Sequence, residues 1–207
     1  MDERIVVPKE TNYAGDWRRL LREWLELIHK YSSTPDDVPY WYGERALTGL
    51  LASAAWRLED GWALEEITGV RGGEGEEGSG KPDLWLGLGK AKFTIEAKVH
   101  WPEKDVASAI QGIKVKLEEA KKQLQQIVAE YQNGNPYSVC YVVPWPRGEG
   151  IQSDLREANA LLEQVAEKFA SEKCVVAKYT FTSSPPVDAG RVYPGVVLVA
   201  RKENWEG

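Results

Sequence analysis

The chain has 207 residues, of which 43% are hydrophobic and 28% are charged. This composition is typical of a globular protein and too apolar for a disordered one, and the length fits a single domain, residues 1–207. No apolar run is long enough to span a bilayer, and the charged N-terminus lacks the apolar core of a signal peptide. With two Cys, two His and no CxxC pair, we expect neither a zinc site nor a disulfide framework, and therefore a reducing, cytoplasmic location.

The formal net charge of −6 is unevenly distributed along the chain. Residues 1–80 carry a net charge of −7, residues 81–127 carry +3, and residues 128–207 carry −2. The overall sign argues mildly against non-specific nucleic-acid binding, whereas the middle segment, whose basic residues are all Lys, is compatible with it.

Hydrophobic periodicity predicts two helices at the beginning of the chain and three strands after them. The helices are predicted over residues 14–31 and 43–59. The strands are predicted over residues 62–70, 83–88 and 92–100, with a Gly- and Glu-rich loop over 71–81.

Helices and strands alternate in the second half of the chain. The prediction is a long helix over 104–129, a turn at 133–136, a strand buried on both faces over 138–143, and a helix over 152–171. Ser153 or Asp154 is expected to cap that last helix. The final strands are predicted over 174–181 and 192–200, separated by a hairpin or a long edge connection. The order predicts an α/β fold with a mixed central sheet flanked by helices on both faces.

The strongest chemical pattern is Lys81-Pro82-Asp83, then twelve residues, then Glu96-Ala97-Lys98. Residues two apart in a strand point the same way, so Glu96 and Lys98 share one face. A turn at Gly87-Leu88-Gly89 would bring Asp83 across from the region of Glu96. Two carboxylates there suit a hard divalent cation, and Lys98 could orient or help deprotonate a water or stabilise charge at phosphorus. The alternative is a salt bridge on a solvated sheet face.

At Pro82, Asp83, Glu96 and Lys98 the sequence resembles the PD-(D/E)xK nuclease superfamily, whose fold includes restriction endonucleases and Holliday-junction resolvases. The resemblance covers residues 43–145 approximately. It implies a restriction endonuclease-like αβββαβ core, here with an additional N-terminal helix and a C-terminal strand extension. It also implies Mg²⁺- or Mn²⁺-dependent phosphodiester cleavage, with Asp83 and Glu96 as metal ligands and Lys98 as the water-activating residue.

Two further residues are candidates for the same site. Many superfamily members carry an acidic residue on the first core helix, and Glu44 lies there on a stripe with Leu47 and Leu51, so its carboxylate should face the sheet. Glu44 could bind a metal ion, or it could simply be a first-turn Glu favoured by the helix dipole. Gln111, on the helix after Glu96-Ala97-Lys98, could contact phosphate or a metal-bound water, or face solvent.

Other features are weaker candidates. Glu65 and Glu66 on the first predicted strand are weaker substitutes for Glu44, since one of them must face away from the site. His100 is interpreted as a structural edge residue. The segment GEEGSGK ending at Lys81 resembles a phosphate-binding loop, but Pro82 and a strand follow where that loop requires a helix. The aromatic run Tyr40-Trp41-Tyr42 could stack on bases, although core and rim packing is the favoured interpretation.

The sequence therefore predicts a metal-dependent endonuclease that acts on nucleic acid, DNA in particular, in restriction, repair or a mobile element. No separate DNA-recognition domain is visible, so specificity would come from loops, from a protein partner or from a homodimer. One alternative is a non-catalytic, protein-binding or immunity-type protein on the same fold. A third interpretation is a plain α/β domain with a salt-bridged sheet face.

Overall fold

The computed structural model describes residues 2–33, 37–65, 81–103, 105–127, 132–145, 151–181, 187–188 and 191–205. The four α-helices are α1 (Ala14–Ser32), α2 (Gly43–Arg57), α3 (Val106–Leu124) and α4 (Ile151–Ser171), and a 3-10 helix spans Pro39–Tyr42. The strands are β1 (Asp2–Val6), β2 (Gly61–Glu65), β3 (Leu84–Leu88), β4 (Ala91–His100), β5 (Asn135–Val142), β6 (Val175–Thr180), β7 (Val187–Asp188), β8 (Arg191–Val192) and β9 (Gly195–Lys202).

Seven strands form one mixed sheet in the order β1-β6-β9-β5-β4-β3-β2, and β7 pairs with β8 alone. Strands β2, β3 and β4 are an antiparallel meander, and α3 then crosses over to β5, which runs parallel to β4. The other neighbours, β5–β9, β9–β6 and β6–β1, are antiparallel. The predicted α/β fold with a mixed sheet is confirmed, and so is the crossover to a buried strand.

Hydrophobic cores lie on both faces of the sheet, as predicted. On one face α1 and α2 pack against Phe93, Ile95 and Ala97 of β4. On the other face α3 and α4 pack against Cys140 and Val142 of β5. Within the described ranges, no helix has the length and apolar character needed to cross a membrane.

The buried stripes of the helices follow the sequence periodicity with small differences. In α1, Leu25 is buried, whereas Leu27 lies at the partly exposed margin of the stripe. Helix α3 begins after Asp105, whose side chain accepts a hydrogen bond from the Ser108 N–H at 2.6 Å and thus caps the first turn.

Several predicted boundaries are wrong. Strand β1 was not predicted, because its sequence DERIV is charged; it is an edge strand, where charged side chains remain in water. Strand β5 begins at Asn135, inside the predicted turn, and β9 covers Gly195–Lys202 instead of 192–200. Ser153 and Asp154 do not cap α4, which already begins at Ile151.

The ends of three other elements differ less from the predicted ones. Helix α2 ends at Arg57, α3 covers Val106–Leu124, and β6 covers Val175–Thr180. Residues 66–70 of the first predicted strand and most of the loop at 71–81 lie outside the described residues, as do residues 128–129.

Glycines near the β3–β4 hairpin explain its geometry. The turn is at Gly89, whose φ of +56° favours glycine. Gly87 lies within β3 and not in the turn. The Trp62 ring packs over it, and a Cβ there would lie 2.4 Å from the ring. The hairpin therefore fixes the β3–β4 register that positions Asp83.

Both cysteines are buried, free thiols. Burial raises the pKa of Cys140 well above its usual value and raises the pKa of Cys174 to about 11. Both side chains therefore behave as small apolar residues of the core.

Candidate active site

Three carboxylates surround the ammonium group of Lys98. The Lys98 Nζ atom lies 3.1 Å from Glu96 Oε1, 3.8 Å from Asp83 Oδ2 and 4.0 Å from Glu44 Oε1. Nζ also donates a hydrogen bond of 2.6 Å to the Ala97 carbonyl. The structure thus brings four of the five sequence-predicted residues together.

The end of β3 creates this arrangement. Strand β4 continues past Ile95, the partner of Leu84, so beyond this point none of the described strands pairs with the edge of β4 that faced β3. Asp83 Oδ2 accepts a hydrogen bond of 2.8 Å from the Ala97 N–H and so replaces the missing strand. The predicted position of Asp83 opposite Glu96 follows directly from this register.

Glu44 reaches the same edge from the opposite direction. It is in the first turn of α2, and its side chain is about one-third exposed. Burial raises the pKa of Glu44, while the charge of Lys98 and the Val99 backbone N–H act in the opposite direction. The expectation that this carboxylate faces the sheet is confirmed.

Glu96 is the most unusual member of the group. Its side chain is only 6% exposed, and Oε2 is buried without a hydrogen-bond partner among the described residues. Burial and the neighbouring charge of Asp83 raise the pKa of Glu96 to about 8, even though Lys98 opposes the shift. A buried carboxylate oxygen without a donor is energetically costly, so an additional cationic group at Oε2 would stabilise this arrangement.

The same surroundings disfavour the charged form of Glu96, whereas they favour the charged form of Lys98. Burial alone would lower its pKa, but the charges of Glu96, Asp83 and Glu44 outweigh burial and raise it. Lys98 is therefore an ammonium ion at neutral pH, a hydrogen-bond donor and not a base. Two of its three N–H groups are donated to Glu96 and Ala97, so one remains for a further acceptor.

A small cavity of about 40 Å³ adjoins the carboxylates. This volume holds about two or three water-sized groups. Its lining residues are Glu44, Arg45, Thr48, Glu65 and Asp83.

Two residues that line the cavity, Glu65 and Thr48, were not predicted as main members of the site. Glu65, at the end of β2, pairs with Leu84 and is therefore adjacent to Asp83. Thr48 was missed, although it lies four residues after Glu44 on the same helix face and could have been found from that spacing. The Thr48 hydroxyl donates a hydrogen bond of 3.4 Å to the Tyr141 hydroxyl.

Gln111 does not join this group. It is exposed on α3, and within the described part of the chain it makes no ion pair or hydrogen bond with Asp83, Glu96 or Lys98. His100, the last residue of β4, packs against Gly112, where a Cβ would lie 2.3 Å from the imidazole ring. Burial lowers the pKa of His100, and the charge of Lys116 lowers it further.

Three lysines of residues 81–127 have partners outside the carboxylate group. Lys114 pairs with Glu172 and Lys116 with Glu119, and Lys92 lies over the Trp85 ring. Lys116 nevertheless lies close enough for its charge to oppose the burial that raises the pKa of Glu44.

The residues of the site fit a hard divalent cation. Four carboxylates (those of Glu44, Glu65, Asp83 and Glu96) and two basic groups (those of Arg45 and Lys98) leave a formal charge of −2 when all are ionised. In the described ranges, no group of three or more His, Cys, Asp or Glu side chains is arranged to hold a metal ion. Mg²⁺ is commonly bound by only one or two carboxylates, with water and phosphate oxygens as its other ligands. Asp83 and Glu96 offer carboxylate oxygens of this kind, although the cavity is lined by Asp83 and not by Glu96.

Comparisons with known proteins add no family assignment: no protein-family model matches the chain, and neither curated proteins nor solved structures gave a match.

Proposed function

We propose that this protein is a metal-dependent nuclease of the PD-(D/E)xK type that hydrolyses phosphodiester bonds in nucleic acid, DNA in particular. The observation that carries the proposal is the group formed by Asp83, Glu96 and Lys98, in which one oxygen of a buried carboxylate lacks a partner. The element order α2-β2-β3-β4-α3-β5, with a parallel β4–β5 pair, supports a restriction endonuclease-like core.

In this proposal Asp83 and Glu96 hold the metal ion, and Glu44 and Glu65, which line the cavity together with Asp83, hold water around it. A bound Mg²⁺ would supply Lewis acidity toward a phosphoryl oxygen and lower the pKa of a bound water. Each of these two carboxylates is oriented by a hydrogen-bond donor: Asp83 by the Ala97 N–H, and Glu96 by Lys98.

The role of Lys98 follows from its charge. As an ammonium with one remaining N–H, it would donate to a non-bridging phosphate oxygen or to the attacking water. Such a donor, held in place before the reaction, stabilises the negative charge that develops in the transition state. The protonated state makes a positioning and charge-stabilising role better supported than that of a general base.

The test is cleavage of single-stranded and double-stranded DNA and RNA by the purified protein with Mg²⁺ or Mn²⁺, and with a chelator. We expect metal-dependent cleavage that falls by about 10²- to 10³-fold in Asp83→Ala, Glu96→Ala and Lys98→Ala. Glu59→Ala, which removes an exposed carboxylate outside the site, is the matched control and should retain activity.

Two results would contradict the proposal. Cleavage that survives all three site substitutions would show that the site is assigned wrongly. An absence of cleavage on every substrate, with no calorimetric signal for Mn²⁺ and with one stoichiometric protein partner bound, would instead establish a non-catalytic protein-binding role.

A further inference from the structure

Four aromatic side chains form an open cleft next to the carboxylate group. The cleft has a volume of about 260 Å³ and is lined by Trp41, Trp101, Trp145 and Tyr193. The three Trp side chains are partly exposed, whereas Tyr193 is buried at 2% exposure. We call this feature the aromatic cleft.

The fold holds the walls of the aromatic cleft in place. Trp101 directly follows β4 and Trp145 follows β5, so the parallel pairing of these strands brings both to one edge of the sheet. The pairing continues beyond the strands, because the Val143 N–H donates to the His100 carbonyl at 3.0 Å and the Trp145 N–H to the Pro102 carbonyl at 3.4 Å. The carboxyl edge of parallel strands is a common position for ligands.

The other two rings come from outside this strand pair. The Trp41 ring meets the Tyr193 ring edge to face, with 4.5 Å between the centroids. The Tyr40 hydroxyl donates a hydrogen bond of 3.0 Å to the Tyr193 carbonyl, which joins the 3-10 helix to the chain before β9. The aromatic cleft is thus built from four separate segments that converge.

The aromatic cleft and the carboxylate group are adjacent in space. A Cβ on Gly43 would lie 3.9 Å from Cζ2 of Trp101, so the first residue of α2 contacts the wall of the cleft. The next residue is Glu44, whose carboxylate is 4.0 Å from Lys98 Nζ. Trp101 itself is three residues beyond Lys98. A nucleic-acid strand whose phosphate reaches Lys98 therefore has the base next to that phosphate near these rings.

The chemistry of the lining limits what can bind. Among the residues that the structure describes, the four lining side chains carry no formal charge, so these side chains offer ring faces and edges. The volume is below the range of about 300–1,000 Å³ usual for pockets that enclose a whole drug-sized ligand. A single planar ring system with an attached chain outside the cleft fits both properties.

We propose that the aromatic cleft receives one unpaired nucleobase of the strand that the carboxylate site cleaves, so that the substrate is single-stranded or locally unpaired nucleic acid. This inference rests on the proposed nuclease function. Stacking on aromatic rings is favourable for every base and cannot reach a base that remains stacked within an intact duplex. The protein therefore prefers unpaired strands without reading a sequence at this position.

The first experiment measures binding alone, by fluorescence anisotropy of a labelled oligothymidylate in the presence of a chelator, so that no cleavage occurs. An abasic strand of equal length and charge is the control ligand. We expect Trp145→Ala and Trp101→Ala to weaken oligothymidylate binding by about 10-fold and to leave binding of the abasic strand unchanged. The variants Trp145→Phe and Trp101→Phe should retain most of the affinity.

Trp56→Ala is the matched control, because Trp56 is 60% exposed on α2 and lies outside the aromatic cleft. Far-UV circular dichroism and thermal unfolding check each variant for correct folding, and the Phe variants replace any Ala variant that does not fold. Equal affinity of the wild type for the thymidylate and the abasic strand would overturn the inference, as would Phe and Ala variants that bind like the wild type.

Cleavage with Mn²⁺ separates this inference from the proposed function. Metal-dependent cleavage of paired and unpaired strands at equal rates, unaffected by the Trp substitutions, would overturn the inference and leave the nuclease proposal standing. Base-dependent binding that the Trp substitutions weaken, without cleavage under any metal condition, would support the aromatic cleft and overturn the nuclease proposal.

Discussion

Two lysines of this protein, Lys98 and Lys178, lie among carboxylates, but their surroundings differ: Lys178 is buried, whereas the side chain of Lys98 is 16% exposed. Lys178 on β6 lies 2.6 Å from Asp2 of β1 and also contacts Glu163 of α4, so each acid has a close cationic partner. Lys98 has three acidic neighbours at 3.1 to 4.0 Å, and one buried oxygen among them has no donor.

The pKa shifts of Glu163, beside Lys178, and Glu96, beside Lys98, reflect the same difference. The hydrogen bond from Lys178, aided by Arg4, holds the pKa of Glu163 below its usual value. Burial and Asp83 instead raise the pKa of Glu96. The fold therefore stabilises the charge at Glu163 and opposes it at Glu96. The first is typical of a structural ion pair, and the second is in keeping with the cation site proposed above.

The largest expected effect is on activity. Replacing Lys98 with Met should lower metal-dependent cleavage by about 10²- to 10³-fold, because the substitution removes a fixed donor that acts on the developing charge. Lys178→Met should leave the activity per folded molecule unchanged. Initial rates, normalised to the folded fraction, measure both; an equal loss in the two variants would abolish the distinction between the lysines.

The second effect is on stability. Lys178→Met should reduce the free energy of unfolding by about 1–3 kcal/mol, because Asp2 and Glu163 lose a charged hydrogen-bond partner that joins β1, β6 and α4. Urea denaturation followed by circular dichroism gives this value. A change below about 0.5 kcal/mol would show that these contacts are no stronger than ordinary surface pairs.

A substitution at Glu96 is expected to change stability by a smaller amount and in the opposite direction. In the presence of a chelator and above pH 8, where Glu96 is ionised, Glu96→Gln should raise the free energy of unfolding by about 1 kcal/mol, because it removes a buried charge whose Oε2 has no partner among the described residues. Thermal unfolding with and without Mn²⁺ is the measurement. Mn²⁺ should stabilise the wild type and not the variant; a destabilised variant in chelator would contradict the comparison.

The smallest effect concerns acid stability. Since the folded-state pKa of Glu163 is lowered, its contribution to stability is present above the usual Glu pKa of about 4.3 and is lost as the pH falls toward the lowered value. Glu163→Gln should flatten that part of the stability curve, whereas Glu167→Gln, at an exposed neighbouring position on α4, should not. The measurement is the denaturation midpoint of each variant as a function of pH in the acidic range. If stability falls equally with pH in the wild type and in Glu163→Gln, the lowered pKa is not that of Glu163.

Local patterns in the sequence predict the core of the site. The two-residue period of β4 places Glu96 and Lys98 on one face, and the turn near Gly89 brings Asp83 opposite them. The helical stripe of α2 correctly turns Glu44 toward the sheet. These residues depend on short-range geometry, which the sequence carries directly.

Features that depend on distant pairings could not be predicted. The pairing of β1 with β6 joins Asp2 to Lys178, which are 176 positions apart, and no local pattern indicates it. Glu65 depends on the register of β2 against β3 across the loop at 71–81. The aromatic cleft requires the parallel β4–β5 pair, and the sequence alone favoured a packing role for Trp41.

The two buried thiols have a practical consequence for work on this protein. Cys140 and Cys174 are the only cysteines of the chain, both lie in the core, and their raised pKa values keep them as unreactive thiols. A cysteine introduced at an exposed position such as Trp56 would therefore be the one group that maleimide reagents modify. Dyes and spin labels can be attached at a chosen point without first removing the native cysteines.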